Sequence, residues 1–126
     1  MRLLIADDSA ALRERLVEMF SQIDGIEIVG QARDVRQAFD SVRSLRPDAV
    51  ILDIQMPGGS GIDVLREIKQ NHASMIAIVL TNHPYPQYQQ KCSELGADYF
   101  LCKSTDAKLL VEIGEQLAEG KGNTNG

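Results

Sequence analysis

The tetrapeptide Ala49-Val50-Ile51-Leu52 is the feature that most limits the fold. It is a continuous apolar run with no polar alternation, and such a run fits a strand covered on both faces, as in a parallel sheet. The run stops at an acid, Asp53, and Met56-Pro57 followed by Gly58-Gly59-Ser60-Gly61 forbids its continuation. Asp53 is therefore expected at the carboxyl edge of a buried strand, which in open α/β sheets is the edge where ligands bind.

The same alternation of apolar strand and amphipathic helix recurs along the chain. Residues 3–6 form a first strand, and Leu12, Leu16, Met19 and Phe20 then fall on one face of a helix that Ser9 caps. Residues 27–32 form a second strand, after which Asp34 with Gln37 reads as a capping-box variant above an apolar face of Val35, Ala38, Phe39 and Val42. Pro47 closes that unit. The Asp53 strand is third, and Ser60 caps a helix whose buried face includes Ile62, Leu65 and Ile68. Residues 75–80 form a fourth strand ending at Thr81. Pro84 and Pro86 delay the next helix, which carries Tyr88, Cys92 and Leu95 and stops at Gly96. Residues 99–101 form a fifth strand ending at Cys102 and Lys103, and Ser104 or Thr105 is expected to cap a last helix with Leu109, Leu110, Ile113 and Leu117 facing inward. Strands alternating with helices of this length imply right-handed crossovers and a parallel sheet covered on both faces, a doubly wound α/β domain. It is expected to span residues 1–119, with 120–126 a disordered polar tail.

Composition removes several function classes. The 126 residues are 44% hydrophobic, enough for the core of one domain. Thirteen basic against eighteen acidic side chains leave a net charge of −5 and no basic tract, which disfavours direct contact with nucleic acid. Cys92 and Cys102 have neither C-x-x-C spacing nor a secretory context, so a reducing cytosol is the expected compartment. No apolar run approaches the roughly 20 residues of a membrane span.

The architecture gathers the polar residues that end the strands. Asp7 and Asp8 follow strand one, Asp53 strand three, Thr81 strand four and Lys103 strand five, so three carboxylates, a hydroxyl and an ammonium share one sheet edge. Singly, each reads as a cap, a turn residue or a solvated charge; together they exceed what capping needs. Three neighbouring carboxylates raise one another's pKa unless a cation compensates them. Carboxylates without His or Cys are hard oxygen ligands suited to magnesium, or manganese, with waters and phosphate completing the shell. A carboxylate can attack phosphorus if metal and lysine neutralise the phosphoryl oxygens. On this reading Asp53 is the nucleophile, Asp7 and Asp8 with the backbone carbonyl of Gln55 hold the metal, Lys103 pairs with the phosphoryl group, and the Thr81 hydroxyl bonds to it.

The ordered set of Asp7-Asp8, Asp53 with Met-Pro and a glycine turn behind it, Thr81, and Lys103 preceded by Gly-Ala-Asp-Tyr-Phe resembles the receiver domain of bacterial two-component response regulators. The resemblance implies a flavodoxin-like strand order of 2-1-3-4-5, and phosphorylation of Asp53 with Mg2+ by a sensor histidine kinase or phosphotransfer protein. It also implies slow self-dephosphorylation rather than turnover catalysis. It further assigns a switch in which Thr81 moves towards the phosphoryl group, Phe100 follows inward, and the face of helix four, strand five and helix five is remodelled for a downstream partner or a homodimer. A nearly complete switch needs about 5 kcal/mol of differential stabilisation.

Some positions depart from the family pattern. Ser104 follows Lys103 where the family often has a proline in a cis bond, so a trans bond is expected. Gln55, Asn82 and His83 are expected to border the phosphoryl group and to influence its lifetime. An aspartyl-phosphate phosphatase of the haloacid dehalogenase type would need an acid where Gln55 stands, and a nucleotide-binding module would need a G-x-G-x-x-G after a strand. A receiver-like module that binds its partner without phosphorylation remains an alternative. Since only a polar tail follows the last helix, either a stand-alone regulator or a receiver taken from a longer protein with an output domain is expected.

Overall fold

A computed structural model describes residues 1–120; the polar tail beyond Gly120 lies outside the described residues. Five strands form one parallel sheet: β1 (Arg2–Ala6), β2 (Glu27–Ala32), β3 (Ala49–Leu52), β4 (Ile76–Thr81) and β5 (Tyr99–Cys102). Counted within this sheet, their order is 2-1-3-4-5, the flavodoxin-like topology. Five helices alternate with them: α1 (Ala10–Ser21), α2 (Val35–Leu45), α3 (Gly61–Asn71), α4 (Pro86–Glu94) and α5 (Ala107–Ala118). A two-residue hairpin, Gln55–Met56 against Gly59–Ser60, occupies the connection after β3.

The unalternating strands are explained by two cores. Leu4, Ala6, Val50, Leu52, Ala77 and Val79 point into one, packed with Val35, Ala38 and Val42 of α2, Val64, Leu65 and Ile68 of α3, and Cys92 of α4. Leu3, Ile5, Ile51, Ile78 and Leu80 point into the other, with Leu16 and Phe20 of α1 and Leu110, Ile113 and Leu117 of α5. Successive side chains go to opposite faces, so a strand covered on both must be apolar at every position.

Helix ends are satisfied locally. Ser9, Asp34 and Ser60 each accept a hydrogen bond from the first turn of α1, α2 and α3. At the far end of α2, Arg46 takes a left-handed conformation (φ 45°) before Pro47. The Arg2 guanidinium donates to the carbonyls of Leu45 and Arg46 at 2.7 and 3.0 Å, pairing groups the helix leaves orphaned. The Lys69 ammonium of α3 reaches Asp98 and the Met75 carbonyl, each at 2.8 Å, and so joins α3 to the entrances of β4 and β5.

Some local expectations are met and others need adjustment. The fourth strand begins at Ile76 rather than Met75 and includes Thr81 as its last residue. Helix α4 starts at Pro86 without a side-chain cap, as the prolines demand. The Lys103–Ser104 bond is trans, since no cis bond occurs among the described residues. Neither Ser104 nor Thr105 caps α5; Asp106 holds that position and makes no capping bond. Leu109 does not face inward but is 45% exposed. Leu110, Ile113 and Leu117 form the inward stripe, and Leu109 lies about 100° around the helix from Leu110. Both cysteines are free, and among the described residues no helix is long and apolar enough to cross a membrane.

Gly114 lets α5 approach α1. A Cβ there would lie 2.5 Å from Cε1 of Phe20, a ring only 1% exposed and held among core residues. Gly114→Ala gains about 1 kcal/mol of helix propensity but overpacks a site without slack, at about 1–3 kcal/mol. The variant should unfold at lower denaturant concentration than the wild type, and pairing it with Phe20→Leu should cost less than the two single changes summed.

Candidate functional site

The carboxyl ends of β1, β3, β4 and β5 bring Asp7, Asp8, Asp53, Thr81 and Lys103 together at one edge. Asp7 and Asp53 are 2% and 4% exposed, and Thr81 is fully buried, whereas Asp8 stands in solvent. Strand pairing continues into the acids: the Asp53 N–H donates to the Ala6 carbonyl and the Asp7 N–H to that of Ala32. Each buried carboxylate spends one oxygen on its own loop, Asp7 Oδ1 accepting from the Ser9 N–H at 2.9 Å and Asp53 Oδ1 from the Gln55 N–H at 3.0 Å.

The second oxygens share one cation. Lys103 Nζ lies 2.6 Å from Asp7 Oδ2 and 2.9 Å from Asp53 Oδ2, its side chain only 11% exposed. The backbone aims it there, because the Lys103 N–H donates to the Thr81 carbonyl. Burial pushes the Asp53 carboxyl above its ordinary value, aided by the Asp7 charge and opposed by the Gln55 N–H and Lys103. For Lys103, burial pulls the other way, but the hydrogen bonds and charges of Asp7 and Asp53 outweigh it and hold the ammonium above its usual value.

Ligand oxygens of Asp7, Asp8 and Asp53 lie within 4.8 Å of one another. Three hard carboxylate donors at that spacing fit a hard divalent cation. Asp8, Ser9, Asp53, Gln55, Asn82, His83 and Lys103 line the open depression above them. Thr81 Oγ1 accepts from the His83 N–H at 3.0 Å. Phe100 lies apart from the acids, half-buried against the core beneath α4 together with Tyr88 and Leu95.

Three further residues shape the site. Arg13 donates to the Asp7 carbonyl at 2.7 Å and to the Gln31 side chain at 3.1 Å, tying the acid loop to the edge strand β2. Asp106 holds the end of β5 through the Cys102 N–H at 2.7 Å. Gly61 looks like the end of a glycine turn, yet it is the first residue of α3, its N–H bonded to the Ile54 carbonyl at 2.9 Å. A Cβ on it would lie 2.1 Å from the Asp53 carbonyl oxygen. Only close backbone approach requires glycine there, and that is visible only once the loop is folded.

A doubly wound domain with a buried acid pair bridged by lysine at the strand ends is the architecture of a phosphoacceptor signalling module. The chain belongs to the response regulator receiver domain family, whose model matches residues 3–115. It is 35% identical over 120 residues to a protein-glutamate methylesterase/protein-glutamine glutaminase of Methanospirillum hungatei, covering 93% of this chain and 35% of that protein. The chain spans about half, or less, of the curated relatives it matches, 52% and 35% for two of them. Among solved structures it is similar to the CheX-CheY-BeF3-Mg2+ complex from Borrelia burgdorferi, at 30% identity and a TM-score of 0.80, covering 87% of this chain and 84% of that one. It is also similar to the isolated REC domain of RcsB from Salmonella enterica with phosphomimetic BeF3−, at 26% identity and a TM-score of 0.87, covering 97% and 91%.

Gly61→Ala would force backbone rather than side-chain movement, so it should destabilise the protein by about 2–3 kcal/mol in chemical denaturation. Amide NMR shifts should move at Asp53 and Ile54 as well as in α3. A stable variant with unmoved Asp53 would contradict the close approach.

Proposed function

We propose that Asp53 accepts a phosphoryl group from a phosphohistidine on a sensor histidine kinase or phosphotransfer protein, with Mg2+, and that the domain acts as a switch. The observation that carries this reading is the sharing of Lys103 between two buried carboxylates at the strand ends. The second oxygen of Asp53 attacks phosphorus in line; the new P–O bond forms as the donor's P–N bond breaks, and the electron pair leaves with the imidazole nitrogen. The Gln55 N–H fixes the other oxygen and so orients the nucleophile. Asp7, Asp8, Asp53 and the Gln55 backbone carbonyl would hold the metal, which when bound neutralises charge on the phosphoryl oxygens. Lys103, already beside Asp53, turns from a carboxylate oxygen to the phosphoryl group.

Thr81 reads the result. Its oxygen accepts from His83, which leaves the hydroxyl proton free to donate to the new dianion. Movement of Thr81 towards the phosphoryl group opens room for Phe100, which is half-buried. The face of α4, β5 and α5 changes with it and docks a downstream protein, an output domain or a second copy. Tyr85, at the start of α4, and Leu109, on α5, are the exposed large hydrophobics among the described residues, at 49% and 45%. The fold, the net charge of −5 and the free cysteines suit a protein-contact regulator in the cytosol.

Incubation with acetyl phosphate and Mg2+ should add one phosphate-sized increment to the intact mass, lost in Asp53→Ala and on chelation of the metal. No adduct in the wild type would leave a binding module as the reading, and rapid multiple turnover would point to a phosphatase. Unphosphorylated protein should show exchange broadening of amide signals around Phe100, because phosphorylation biases an existing equilibrium; one rigid conformer there would refute the switch.

A further inference from the structure

The start of α5 is anomalous. Asp106 occupies the N-cap position, where an aspartate ordinarily accepts from the first-turn N–H groups. Here it makes no such bond, and its backbone, at φ −109° and ψ 19°, is outside the extended region usual for a cap. Its carboxylate instead turns back to the strand and accepts from the Cys102 N–H at 2.7 Å. The Asp106 N–H in turn donates to the Cys102 carbonyl at 3.0 Å. One residue thus pins both polar groups of Cys102, the residue immediately before Lys103.

The loop has little else to hold it. The Thr105 N–H reaches the Cys102 carbonyl at 3.3 Å, Cys102 Sγ and Ser104 Oγ are 3.2 Å apart, and both Ser104 and Thr105 are exposed. Beyond these, the Lys103 N–H on the Thr81 carbonyl fixes the start of the turn. The Lys103 ammonium must meet two carboxylates 2.6 and 2.9 Å away from the end of a flexible four-carbon stem, so its backbone has to be fixed by something.

We propose that Asp106 is the positioning residue for Lys103: it gives up the capping of α5 to lock the β5–α5 turn in the geometry that delivers the ammonium to Asp7 and Asp53. The inference rests on the phosphoacceptor reading of Asp53. It concerns phosphoryl transfer, whereas the metal donors Asp7, Asp8 and Asp53 lie on other strands. Loss of the Asp106 contact should therefore slow transfer without weakening metal binding.

The test compares Asp106→Ala, Asp106→Ser and Asp106→Asn in the full chain. Serine caps helices well but is too short to reproduce the reach to Cys102; asparagine keeps an acceptor at the right length. Phosphorylation by acetyl phosphate is followed by intact mass, and Mg2+ affinity by amide NMR titration of the unphosphorylated protein. The alanine and serine variants should lose about 10-fold in phosphorylation rate, and asparagine should restore most of it, with Mg2+ affinity no weaker than wild type throughout. In a Lys103→Ala background, Asp106→Ala should cost nothing further. Wild-type rate in Asp106→Ser, a parallel fall in metal affinity, or an additive loss in the Lys103→Ala background would each overturn the proposal. Failure of the wild type itself to be labelled would be a failure of the phosphoacceptor reading, seen before any variant is compared.

Discussion

The site depends on one ammonium held between two buried carboxylates. Removing two acids from water is expensive unless the charges are paired and every lone pair is engaged. Asp7 and Asp53 meet that demand with an N–H for one oxygen each, from Ser9 and Gln55, and with Lys103 for the other. The arrangement is still under-compensated, since two acids share one cation, and burial holds the Asp53 carboxyl above its ordinary value. Such a shortfall favours further positive charge nearby, and Asp8 adds a third carboxylate at the exposed rim. A domain optimised only for stability would have no reason to leave such an imbalance at the end of its central strands.

The rest of the fold holds these groups still. The groups come from four parallel strands, of which β1, β3 and β4 are paired on both sides and β5 on one, and the pairing runs past the formal strand ends to the N–H groups of Asp7, Asp53 and Lys103. Asp7, Asp53, Thr81 and Lys103 therefore each sit on the last residue of a strand or the first beyond it, and Asp8 one residue further out. Gly61 extends the same economy to α3, whose first residue abuts the Asp53 carbonyl so closely that no side chain fits. Helix α3 and Asp53 are thus mechanically one unit, while Thr81 and Phe100 sit on the neighbouring pair, β4 and β5.

Much of this is legible in the residues and some is not, for physical reasons. The strands declare themselves because a sheet covered on both faces must be apolar at every position, and the caps Ser9, Asp34 and Ser60 because a short polar side chain before an apolar stripe has few other uses. The site residues are legible because a parallel sheet sends all its strand ends to one side. Leu109 misleads because the inward stripe of α5 is centred on Leu110, Ile113 and Leu117, which leaves Leu109 on its solvent side, and the residues alone do not show where α5 begins. That in turn depends on Asp106, whose carboxylate bonds backwards to Cys102. A preference for caps favours Ser104 or Thr105 as much as Asp106, so the choice is made by the strand end rather than by the helix. Arg13 and Gly61 act through the folded geometry of short loops, on Asp7 and Asp53, and no pattern of residue types reveals them.

The two surprises at the end of β5 and the start of α3 have a common logic. In both places a locally favourable choice is surrendered: a capping bond at Asp106, and the lower backbone entropy cost of a residue larger than glycine at Gly61. Each concession falls within one connection of a residue in the acid cluster, Lys103 in one case and Asp53 in the other. Elsewhere α1 and α2 keep their side-chain caps, Ser9 at the site itself among them, and Arg2 pairs the orphan carbonyls of α2. Sequences that fold well agree with their local preferences except where a site imposes a conflicting demand. At Asp106 and Gly61 the surrendered local preference therefore lies beside the same edge that carries the carboxylates.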